Sequence, residues 1–544
     1  MLRMTKAAVI GILVLLIIAG CTSNSGNNNA EETKDAANEQ GKTDEQDTKT
    51  EEPKPPTEIS IAVGTATDKY VEQSSNINDD KWVKALEQRT NTDLDFTVLA
   101  HANLRELLSL MFVSGDIPDV VQTQQGMYPA DPSMGGSVDA GVFRPLDALL
   151  KEHGPNLLEK IPQQAWDEVT YNNEIYAIPM WLSTPARRGI FIRMDILEKS
   201  GLPVPVTTDD FMNMLRKFKE MGIQEPYGTR ADFVYSDAIM AAYDVMPYNN
   251  MYEKQGDLVG PKFLDAENTM AALETWKTML EEGLIAEDFS SQSGVMRGQK
   301  IDAGTTVVWE ANVNSLLSNQ KKLEGTIPEA RLGVIPYPKG PDGSGGAMLY
   351  GSTLRLNYIN AKISEEKAVD IIKFLDWQVT EEGQKFFAFG IEGENYKIEN
   401  EKIVYTTPTS EEQILEENYR VNWLPLVYDG AFNRVLLENS PGGDELLNVF
   451  DTITSKEGRE GIVFSPPLKA YEKYPDLAEG FGITSKLILD HMLKMIYGRE
   501  PISDWPKVIE EWKSKGGNEI IEEATARFNN KDGIIKVGKD AKVN

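Results

Sequence analysis

Residues 114–121 read Ser-Gly-Asp-Ile-Pro-Asp-Val-Val, a turn that leads into a short apolar run. Ser-Gly and proline favour a turn, and the apolar run after them is typical of a buried strand. Toward the N-terminus, residues 94–99 and 58–63 alternate polar and apolar side chains, as half-buried strands do. The segments 80–89 and 104–113 lie between these strands and have helical spacing. Strands that alternate with helices predict an α/β lobe with a mainly parallel sheet.

The same pattern continues toward the C-terminus. Residues 171–179 predict a turn followed by a strand that stops at Pro179. A helix is predicted from Thr208, with acidic residues in its first turn, where the helix dipole favours them. Its apolar positions recur at i, i+3, i+4 and i+7, which indicates one buried face formed by Phe211, Met214, Leu215 and Phe218.

The N-terminal segment, residues 1–21, has the layout of a secretory signal. Arg3 and Lys6 give a positive start, an apolar run covers residues 7–18, and small residues precede Cys21. The apolar run is shorter than the roughly 20 residues that a membrane-spanning helix needs. Ile-Ala-Gly-Cys resembles the lipobox of bacterial lipoproteins, in which the thiol receives a diacylglyceryl group and becomes the mature N-terminus. We therefore predict a signal peptide over 1–21 with lipid attachment at Cys21. The alternative is an ordinary signal or a short anchor.

Residues 22–56 are the predicted tether between the lipid and the folded part. They are mostly Asn, Glu, Asp, Lys, Thr and Gly with almost no large apolar residue, so they cannot bury enough surface to fold. A flexible chain of this length spans about 30–35 Å root-mean-square. We predict a disordered acidic tether that ends in a stretch with three prolines, Pro53, Pro55 and Pro56.

The composition limits both the architecture and the partners. The chain has 544 residues and a formal net charge of −30 at pH 7. About 490 residues follow the tether, which are too many for one compact core and enough for two large lobes. Nucleic acid and an anionic lipid surface would both repel so negative a chain, so neither is expected as a partner. Cys21 is the only cysteine, so no disulfide within the chain can form.

Seven short motifs occur in order along residues 58–544. They are Gly-Asp-Ile-Pro-Asp (115–119), Phe-Arg-Pro-Leu-Asp (143–147), Ile-Tyr-Ala-Ile-Pro (175–179), Arg-Met-Asp-Ile-Leu (193–197), Gly-Val-Ile-Pro-Tyr-Pro-Lys-Gly-Pro-Asp-Gly (333–343), Gly-Ile-Glu-Gly-Glu-Asn-Tyr (390–396) and Gly-Arg-Glu-Pro-Ile-Ser-Asp-Trp (498–505). Together they resemble the family 1 extracellular solute-binding proteins of ABC importers. The last two are similar to the long lipoprotein subfamily, many of whose members are assigned to oligosaccharide uptake.

The resemblance implies an α/β, two-lobe fold of the periplasmic-binding-protein type, with two or three hinge crossovers and a ligand cleft between the lobes. We expect crossings near 178–183 and 332–338. The expected divisions are 57–180 for the first lobe with a return segment at about 336–400, 181–335 for the second lobe, and 401–544 for a C-terminal helical region that packs on the second lobe and the hinge.

The resemblance also implies a function. The expected protein is lipid-anchored at the extracellular face of the cell membrane, captures a carbohydrate in the cleft, and delivers it to the permease subunits of an ABC importer. The expected ligand is an oligosaccharide, although peptides and other glycans stay open. We expect a monomer without a cofactor. Two alternatives stay open: a sensing or adhesion lipoprotein without transport, and a glycoside hydrolase.

The sequence offers little catalytic chemistry. Its three histidines and one cysteine give no zinc-ligand cluster and no Cys–His pair, and no serine lies in Gly-x-Ser-x-Gly. Paired carboxylates, which a glycosidase uses, are expected by chance in so acidic a chain. Family members often carry a calcium loop that resembles an EF-hand. This chain has Glu-Met-Gly-Ile-Gln-Glu-Pro at 220–226, without the closely spaced carboxylates that calcium requires. We therefore expect neither catalysis nor bound calcium.

Aromatic residues at strand ends and turns are the predicted ligand contacts, because the apolar face of a sugar ring stacks on Trp or Tyr. Trp181 follows the predicted crossing strand, and Trp309 follows the predicted buried strand 305–308. Arg188 is a further candidate partner for hydroxyl or carboxylate groups. For each aromatic residue, packing in the core is the alternative. The predicted ligand-binding set is Tyr128, Trp181, Arg187, Trp309, Glu310, Tyr350 and Trp423.

Overall fold

The structure is a computed structural model that describes residues 54–538, except 125, 232, 249–250, 401, 407 and 479–484. The predicted signal peptide, Cys21 and the tether as far as residue 53 lie outside the described residues. In chain order the strands are β1 (Thr57–Gly64), β2 (Thr92–Leu99), β3 (Val120–Gln124), β4 (Thr170–Tyr171), β5 (Glu174–Ile175), β6 (Ala177–Trp181), β7 (Arg188–Arg193), β8 (Tyr227–Gly228), β9 (Tyr252–Gln255), β10 (Leu258–Pro261), β11 (Val308–Asn312), β12 (Leu332–Ile335), β13 (Thr353–Ile359), β14 (Tyr396–Glu399), β15 (Lys402–Tyr405), β16 (Gly461–Phe464) and β17 (Ile534–Val537).

The helices lie between and after these strands. In chain order they are α1 (Lys69–Gln73), α2 (Lys81–Thr90), α3 (Leu104–Ser114), α4 (Asp147–His153), α5 (Pro155–Lys160), α6 (Gln163–Glu168), α7 (Met194–Ser200), α8 (Thr208–Glu220), α9 (Ala238–Ala242), α10 (Ala266–Glu281), α11 (Gly294–Asp302), α12 (Leu316–Glu324), α13 (Glu365–Trp377), α14 (Glu381–Phe389), α15 (Glu411–Asn422), α16 (Arg434–Glu438), α17 (Gly443–Thr452), α18 (Ala470–Lys473), α19 (Lys486–Ile496), α20 (Trp505–Trp512) and α21 (Asn518–Asn530). None of these helices combines the length and the apolar character that a membrane crossing requires.

The predicted helix from Thr208 is confirmed as α8. The Thr207 hydroxyl accepts a hydrogen bond from the Asp210 amide, and the Asp210 carboxylate accepts one from the Thr207 amide, so the two residues form a capping box. The apolar face predicted from the spacing is buried. The predicted helices at 80–89 and 104–113 are likewise confirmed as α2 and α3, with ends that differ only slightly from the prediction.

The first sheet has the strand order β2-β1-β3-β13-β6. β1 pairs in parallel with β2 and with β3, as the alternation of strands and helices predicts. β13 lies between β3 and β6 and is antiparallel to both. A strand from residues 353–359 therefore belongs to the same sheet as β1, which is about 300 residues earlier in the chain. Ile61, Val121 and Tyr358 are buried in the core of this sheet.

β6 extends further than the sequence predicts. The predicted strand stops at Pro179, whereas β6 continues to Trp181. The physical reason is that β6 lies at the edge of the sheet and pairs only with β13. A proline lacks the N–H that a central strand must donate, but an edge strand tolerates it.

The second sheet has the order β12-β7-β11-β8. β7 lies between β12 and β11 and is antiparallel to both, and β8 pairs in parallel with β11. Ile190 and Ile192 of β7 belong to the largest hydrophobic core, which also contains the buried face of α8 and residues of α10, α19 and α20. The two sheets therefore stand at the centres of two α/β lobes.

The C-terminal region differs from its prediction in two respects. Residues 461–464 and 534–537 form β16 and β17, which join β9 and β10 in a third, antiparallel sheet. Tyr419 and Trp423, at the end of α15, pack in the core of the first sheet rather than on the second lobe. The predicted 401–544 helical region is thus divided between the two lobes, because both cores have apolar surface that it covers.

Three chain connections run side by side between the lobes. The first covers 182–187 between β6 and β7, the second covers 336–352 between β12 and β13, and the third covers 428–432 after α15. Hydrogen bonds join them to one another: the Leu182 amide donates to the Ser352 carbonyl at 2.9 Å, and the Gly430 amide donates to the Trp181 carbonyl at 2.8 Å. The chain therefore crosses between the lobes slightly later than the predicted 178–183 and 332–338.

Candidate ligand-binding cleft

A cavity of about 400 Å³ lies where the first sheet meets the three connections. The carboxyl ends of β1 and β3 form its floor, at the edge where open α/β sheets usually bind ligands. The start of β13 and the end of β6 complete this side. The first-lobe residues that line it are Gly64, Ala66, His101, Leu104, Gln122, Thr123, Gln124, Met180, Leu354 and Arg355.

The other side of the cavity belongs to the second lobe and to the third connection. Arg187 is the last residue of the first connection, and its carbonyl accepts a hydrogen bond from the Val313 amide of the second lobe at 2.8 Å. Asn314 follows β11 in the second lobe. Tyr428 and Gly430 lie on the third connection, and Asn422 ends α15. The cavity volume is within the range of about 300–1,000 Å³ that ligand pockets usually have. The cavity is therefore an interlobe cleft, because residues of both lobes and of a connection between them line it.

Gly430 shows how closely this cleft is packed around its rim. A Cβ atom at this position would lie 2.5 Å from a side-chain carbon of Leu354 and 2.8 Å from the terminal methyl group of Met180. A larger residue at this position would therefore force the ends of the Leu354 and Met180 side chains to move.

The polar groups of the cleft suit the recognition of hydroxyl groups. His101, Asn314 and Asn422 are exposed, so their side chains can reach a ligand. Gln122 is buried and donates a hydrogen bond to the Asn357 side chain at 3.1 Å, which holds its amide in place. Amide groups carry both donors and acceptors, as a sugar hydroxyl also does.

Two arginines lie in the cleft, one from each lobe. Arg187 is half-buried, and its guanidinium lies 5.3 Å from the centre of the Tyr350 ring. Arg355 is also half-buried, and its Nη1 atom is buried without a hydrogen-bond partner in the described part of the chain. Tyr428 lies between the lobes beside them and donates from its hydroxyl to the Asn422 carbonyl at 2.6 Å. Burial raises the pKa of Tyr428, and the charges of Arg355 and Arg187 both oppose this rise.

Of the predicted set, Arg187 lines the cleft and Tyr350 lies directly behind it. Tyr350 is buried, and its hydroxyl accepts a hydrogen bond from Nε of Arg188 at 3.1 Å. Trp181 ends β6 with its side chain in the core of the first sheet, while its backbone bonds to the third connection. These two aromatic residues are buried beside the cleft and do not line it.

Trp309 is a correction to the sequence prediction. It is only 2% exposed and packs 5.8 Å from Phe191, between the centres of the two rings. The sequence places a strand at 305–308 with Trp309 at its end, but β11 starts at Val308 and continues to Asn312. Trp309 therefore lies inside the strand, in a hydrophobic core that also contains Phe450 of α17.

Glu310, the next residue of β11, is another correction because it is fully buried. Its carboxyl group accepts hydrogen bonds from the Tyr227 hydroxyl at 2.5 Å, the Ala238 amide at 2.9 Å and the Tyr337 hydroxyl at 3.1 Å. Burial, followed by the negative charge of Asp237, raises the pKa of Glu310 to about 7. This residue organises the interior of the second lobe and does not reach the cleft.

Arg188 belongs to the same interior rather than to the cleft. Its Nη1 atom lies 2.5 Å from Oδ2 of Asp237, and both side chains are almost completely buried. The Tyr248 hydroxyl donates to the other oxygen of Asp237 at 3.0 Å. The neighbouring residues Arg187 and Arg188 thus differ, since Arg187 lines the cleft and Arg188 forms a buried ion pair with Asp237.

Trp423 and Tyr128 are also buried away from this cleft. Trp423 is 1% exposed and donates from Nε1 to the Gly64 carbonyl at 2.9 Å, so it fixes the end of β1 instead of facing a ligand. Tyr128 lines a separate cavity of about 150 Å³ between the first and third sheets. Its hydroxyl donates to Glu168 at 3.3 Å. The core explanation, which the sequence left open for every aromatic residue, holds for these two.

Several residues of the cleft were not predicted from the sequence, namely His101, Gln122, Asn314, Arg355 and Tyr428. One sequence feature could have predicted His101 as a cleft residue, since it comes shortly after the second predicted strand. No sequence feature could have predicted Arg355, because its position depends on the pairing of β13 with β3, a strand from a distant part of the chain.

This geometry defines a class of protein: two α/β lobes, joined by crossovers, with a ligand cleft at their junction. Residues 73–385 match the sequence profile described as bacterial extracellular solute-binding protein. The chain belongs to that family.

Two relatives from Bacillus subtilis (strain 168) are each 25% identical to this chain. The alignment with the polygalacturonan/rhamnogalacturonan-binding protein YtcQ covers 82% of this chain and 88% of the relative. The alignment with the lipoprotein LipO covers 81% of this chain and 87% of the relative. Both alignments extend over most of each protein.

A solved structure has the same architecture. The Streptococcus pneumoniae ABC-transporter substrate-binding protein FusA in complex with kestose superimposes on this chain with a TM-score of 0.61. The two chains are 16% identical, and the superposition covers 87% of this chain and 99% of FusA. This match supports the two-lobe fold.

Proposed function

We propose that this protein captures a carbohydrate, an oligosaccharide, in the interlobe cleft and delivers it to the permease subunits of an ABC importer. The observation that carries the proposal is the cleft itself, which both lobes build and which presents amide, imidazole, guanidinium and phenol groups to a ligand. Such groups match the hydroxyls of a sugar. The names of the relatives support the same class of ligand, since one is named for polygalacturonan binding and another is a complex with kestose.

The proposed role is binding without catalysis. None of the described residues that line the cleft is Asp or Glu, whereas most glycosidases place two carboxyl groups on either side of the scissile bond. The strongly perturbed carboxyl groups, those of Glu168 and Glu310, are completely buried and bonded to protein groups. We therefore propose that they stabilise the fold.

The proposed location is the extracellular face of the cell membrane, with a monomeric chain held by lipid on Cys21. The family is extracellular, and the relative named LipO is a lipoprotein. A diacyl anchor holds a protein stably, whereas a single chain holds it weakly. A sensing role without transport is the alternative, and an uptake assay separates the two.

A thermal-shift screen of the purified protein against an oligosaccharide panel tests the proposal. A ligand at 100 times its dissociation constant stabilises the folded state by about 2.7 kcal/mol, which raises the melting temperature measurably. A strain that lacks the gene should lose uptake of the oligosaccharide that scores. If no oligosaccharide in a broad panel shifts the melting temperature, the proposed function is wrong. If binding occurs but uptake is unchanged in the strain, the sensing alternative replaces transport.

A further inference from the structure

The charge in the cleft is opposite to the charge of the whole chain. The protein has 85 acidic and 55 basic residues other than histidine, yet the described residues that line the cleft include two arginines and no carboxylate. Elsewhere in the described structure arginines commonly pair with Asp or Glu, as in Arg188–Asp237 and Arg216–Glu282. The lining of the cleft is thus positive, although the negative charges of Asp68 and Asp429 also act on Tyr428 from just outside the lining.

Neither cleft arginine has its charge balanced by an ion pair among the described residues. Arg187 contacts the face of the Tyr350 ring, and no carboxylate oxygen of the described residues lies within ion-pair distance of it. Arg355 influences the pKa of Asp68 through space, but the Asp68 carboxylate caps α1 by accepting from the Val71 amide at 3.1 Å. Arg355 also leaves Nη1 buried without a partner among the described residues. A buried donor without an acceptor costs free energy.

The two guanidinium groups belong to opposite lobes and line the same cleft. Arg355 starts from β13 of the first lobe, Arg187 precedes β7 of the second, and Tyr428 stands on the third connection between them. The planar fork of a guanidinium matches the two oxygens of a carboxylate or sulfate group. A single ligand placed here would therefore meet a positive donor from each lobe.

We propose that the ligand is an anionic oligosaccharide whose acidic group binds between Arg187 and Arg355. This inference rests on the proposed carbohydrate-binding function and specifies its ligand class. The neutral hydroxyls of the same ligand then meet Asn314, Asn422 and Gln124 around the arginine pair. The source of the negative charge is either a uronate carboxylate or a sulfate ester, since both present the same pattern of acceptor oxygens.

Titration calorimetry with three probes of similar size tests this proposal: trigalacturonate, its fully methyl-esterified form, and a sulfated carrageenan oligosaccharide without carboxylates. The esterified probe keeps the sugar rings and removes the charge. We expect an anionic probe to bind about tenfold more tightly than the ester, because a charge-assisted hydrogen bond is lost in the ester. Whichever anionic probe binds more tightly identifies the carboxylate or the sulfate. Binding should also weaken as the salt concentration rises.

Substitutions of the two arginines complete the test. Arg355→Gln and Arg187→Gln should each weaken binding of the anionic probe more than binding of the ester, and should therefore move the roughly tenfold preference toward one. Arg355→Lys keeps the charge and should keep part of the preference. The matched control is Arg331→Gln, because Arg331 is exposed and pairs with Glu198 outside the cleft.

The outcomes separate this inference from the function on which it rests. If the ester binds as tightly as both anionic probes, or if only neutral oligosaccharides of a wider panel bind, the anionic-ligand inference is wrong and the carbohydrate-binding function stands. If no oligosaccharide binds, both are wrong. If the anionic preference survives in both Gln variants, the assignment to these two arginines is wrong.

Discussion

Glu168 accepts a hydrogen bond from the Thr353 hydroxyl at 2.7 Å, and this contact joins the end of α6 to the first residue of β13. The same carboxyl group accepts one from the Ser352 amide at 2.5 Å, on the second connection between the lobes. Burial raises the pKa of Glu168 to about 7, although these hydrogen bonds oppose the rise. A titratable group thus lies at the point where a crossover enters the first sheet.

The raised pKa predicts how stability depends on pH. Because the pKa is about 7 in the folded chain and near 4.5 when the group is unperturbed, the folded state holds the proton more tightly. The stabilisation is complete below about pH 4.5 and is lost as the pH rises through 7. Glu168→Gln should therefore flatten the decline in unfolding free energy between pH 5 and pH 8 by about 1–3 kcal/mol. Urea unfolding at several pH values measures this decline.

Glu274→Gln is the control for this experiment, because Glu274 is exposed on α10. Glu310 also has a pKa of about 7, so part of the decline should remain in every variant. An unchanged pH profile in Glu168→Gln would show that Glu168 does not titrate in this range.

The buried pair Arg188–Asp237 predicts a large loss of stability when one partner is removed. Asp237→Asn leaves a buried guanidinium without its carboxylate, which should lower the unfolding free energy by about 3–5 kcal/mol. Glu198→Gln breaks the exposed pair with Arg331 and should cost less than about 1 kcal/mol. Denaturant midpoints compare the two variants, and equal effects would contradict the structural placement of Asp237.

Trp309 is predicted to matter for stability and not for ligand affinity. Its ring is buried against Phe191 in a core that also contains residues of α17, so Trp309→Ala should lower the unfolding free energy by about 3–5 kcal/mol. The milder Trp309→Phe should keep the protein folded and leave the dissociation constant within about twofold. A tenfold loss of affinity in folded Trp309→Phe would return this residue to the ligand site.

Lipid attachment at Cys21 stays a prediction from the sequence, since this residue lies outside the described part of the chain. Cys21→Ala should prevent both lipid addition and signal cleavage at this site, because the thiol that receives the diacylglyceryl group is then absent. Mass spectrometry of the N-terminal peptide measures the modification. An unmodified cysteine in the wild-type protein would exclude the lipoprotein interpretation.

The absence of calcium near α8 also stays a prediction, and the structure supplies a reason for it. The ammonium group of Lys219 donates to the Gln224 carbonyl at 2.7 Å, so a cation of the protein itself bridges this loop. Glu225, the nearest following carboxylate, pairs with Lys300 at 2.7 Å. Elemental analysis after dialysis without chelator should find less than one equivalent of calcium per chain. One tightly held equivalent in this loop would contradict the prediction.

Local signals explain which parts of the fold could be predicted. α8 has a capping box and an apolar stripe within one short stretch of sequence, and β1 shows the alternation of a half-buried strand, so both are readable from short windows. β13 is different, because its place between β3 and β6 follows from pairing across the whole first lobe. The sequence places the end of β11 too early, and this shift turns Trp309 and Glu310 from expected ligand contacts into core residues.

The cleft is harder to predict than the fold. An aromatic residue after a strand looks the same in sequence whether it faces a ligand or is buried in the core, and both Trp181 and Tyr350 are buried. Arg187 could be predicted because it follows a recognisable crossing strand. Arg355 could not, because only tertiary pairing brings it into the same cleft as Arg187.

Two residues of the third connection also form part of the cleft wall, and this has a consequence for how a permease would distinguish the two states of the protein. Tyr428 and Gly430 belong both to the wall of the cleft and to the segment that joins the lobes, so the cleft cannot widen or narrow without a movement of that segment. The ligand-bound and ligand-free forms of the protein should then differ in outer shape. A permease that fits only one of these shapes can reject the ligand-free protein without contacting the ligand.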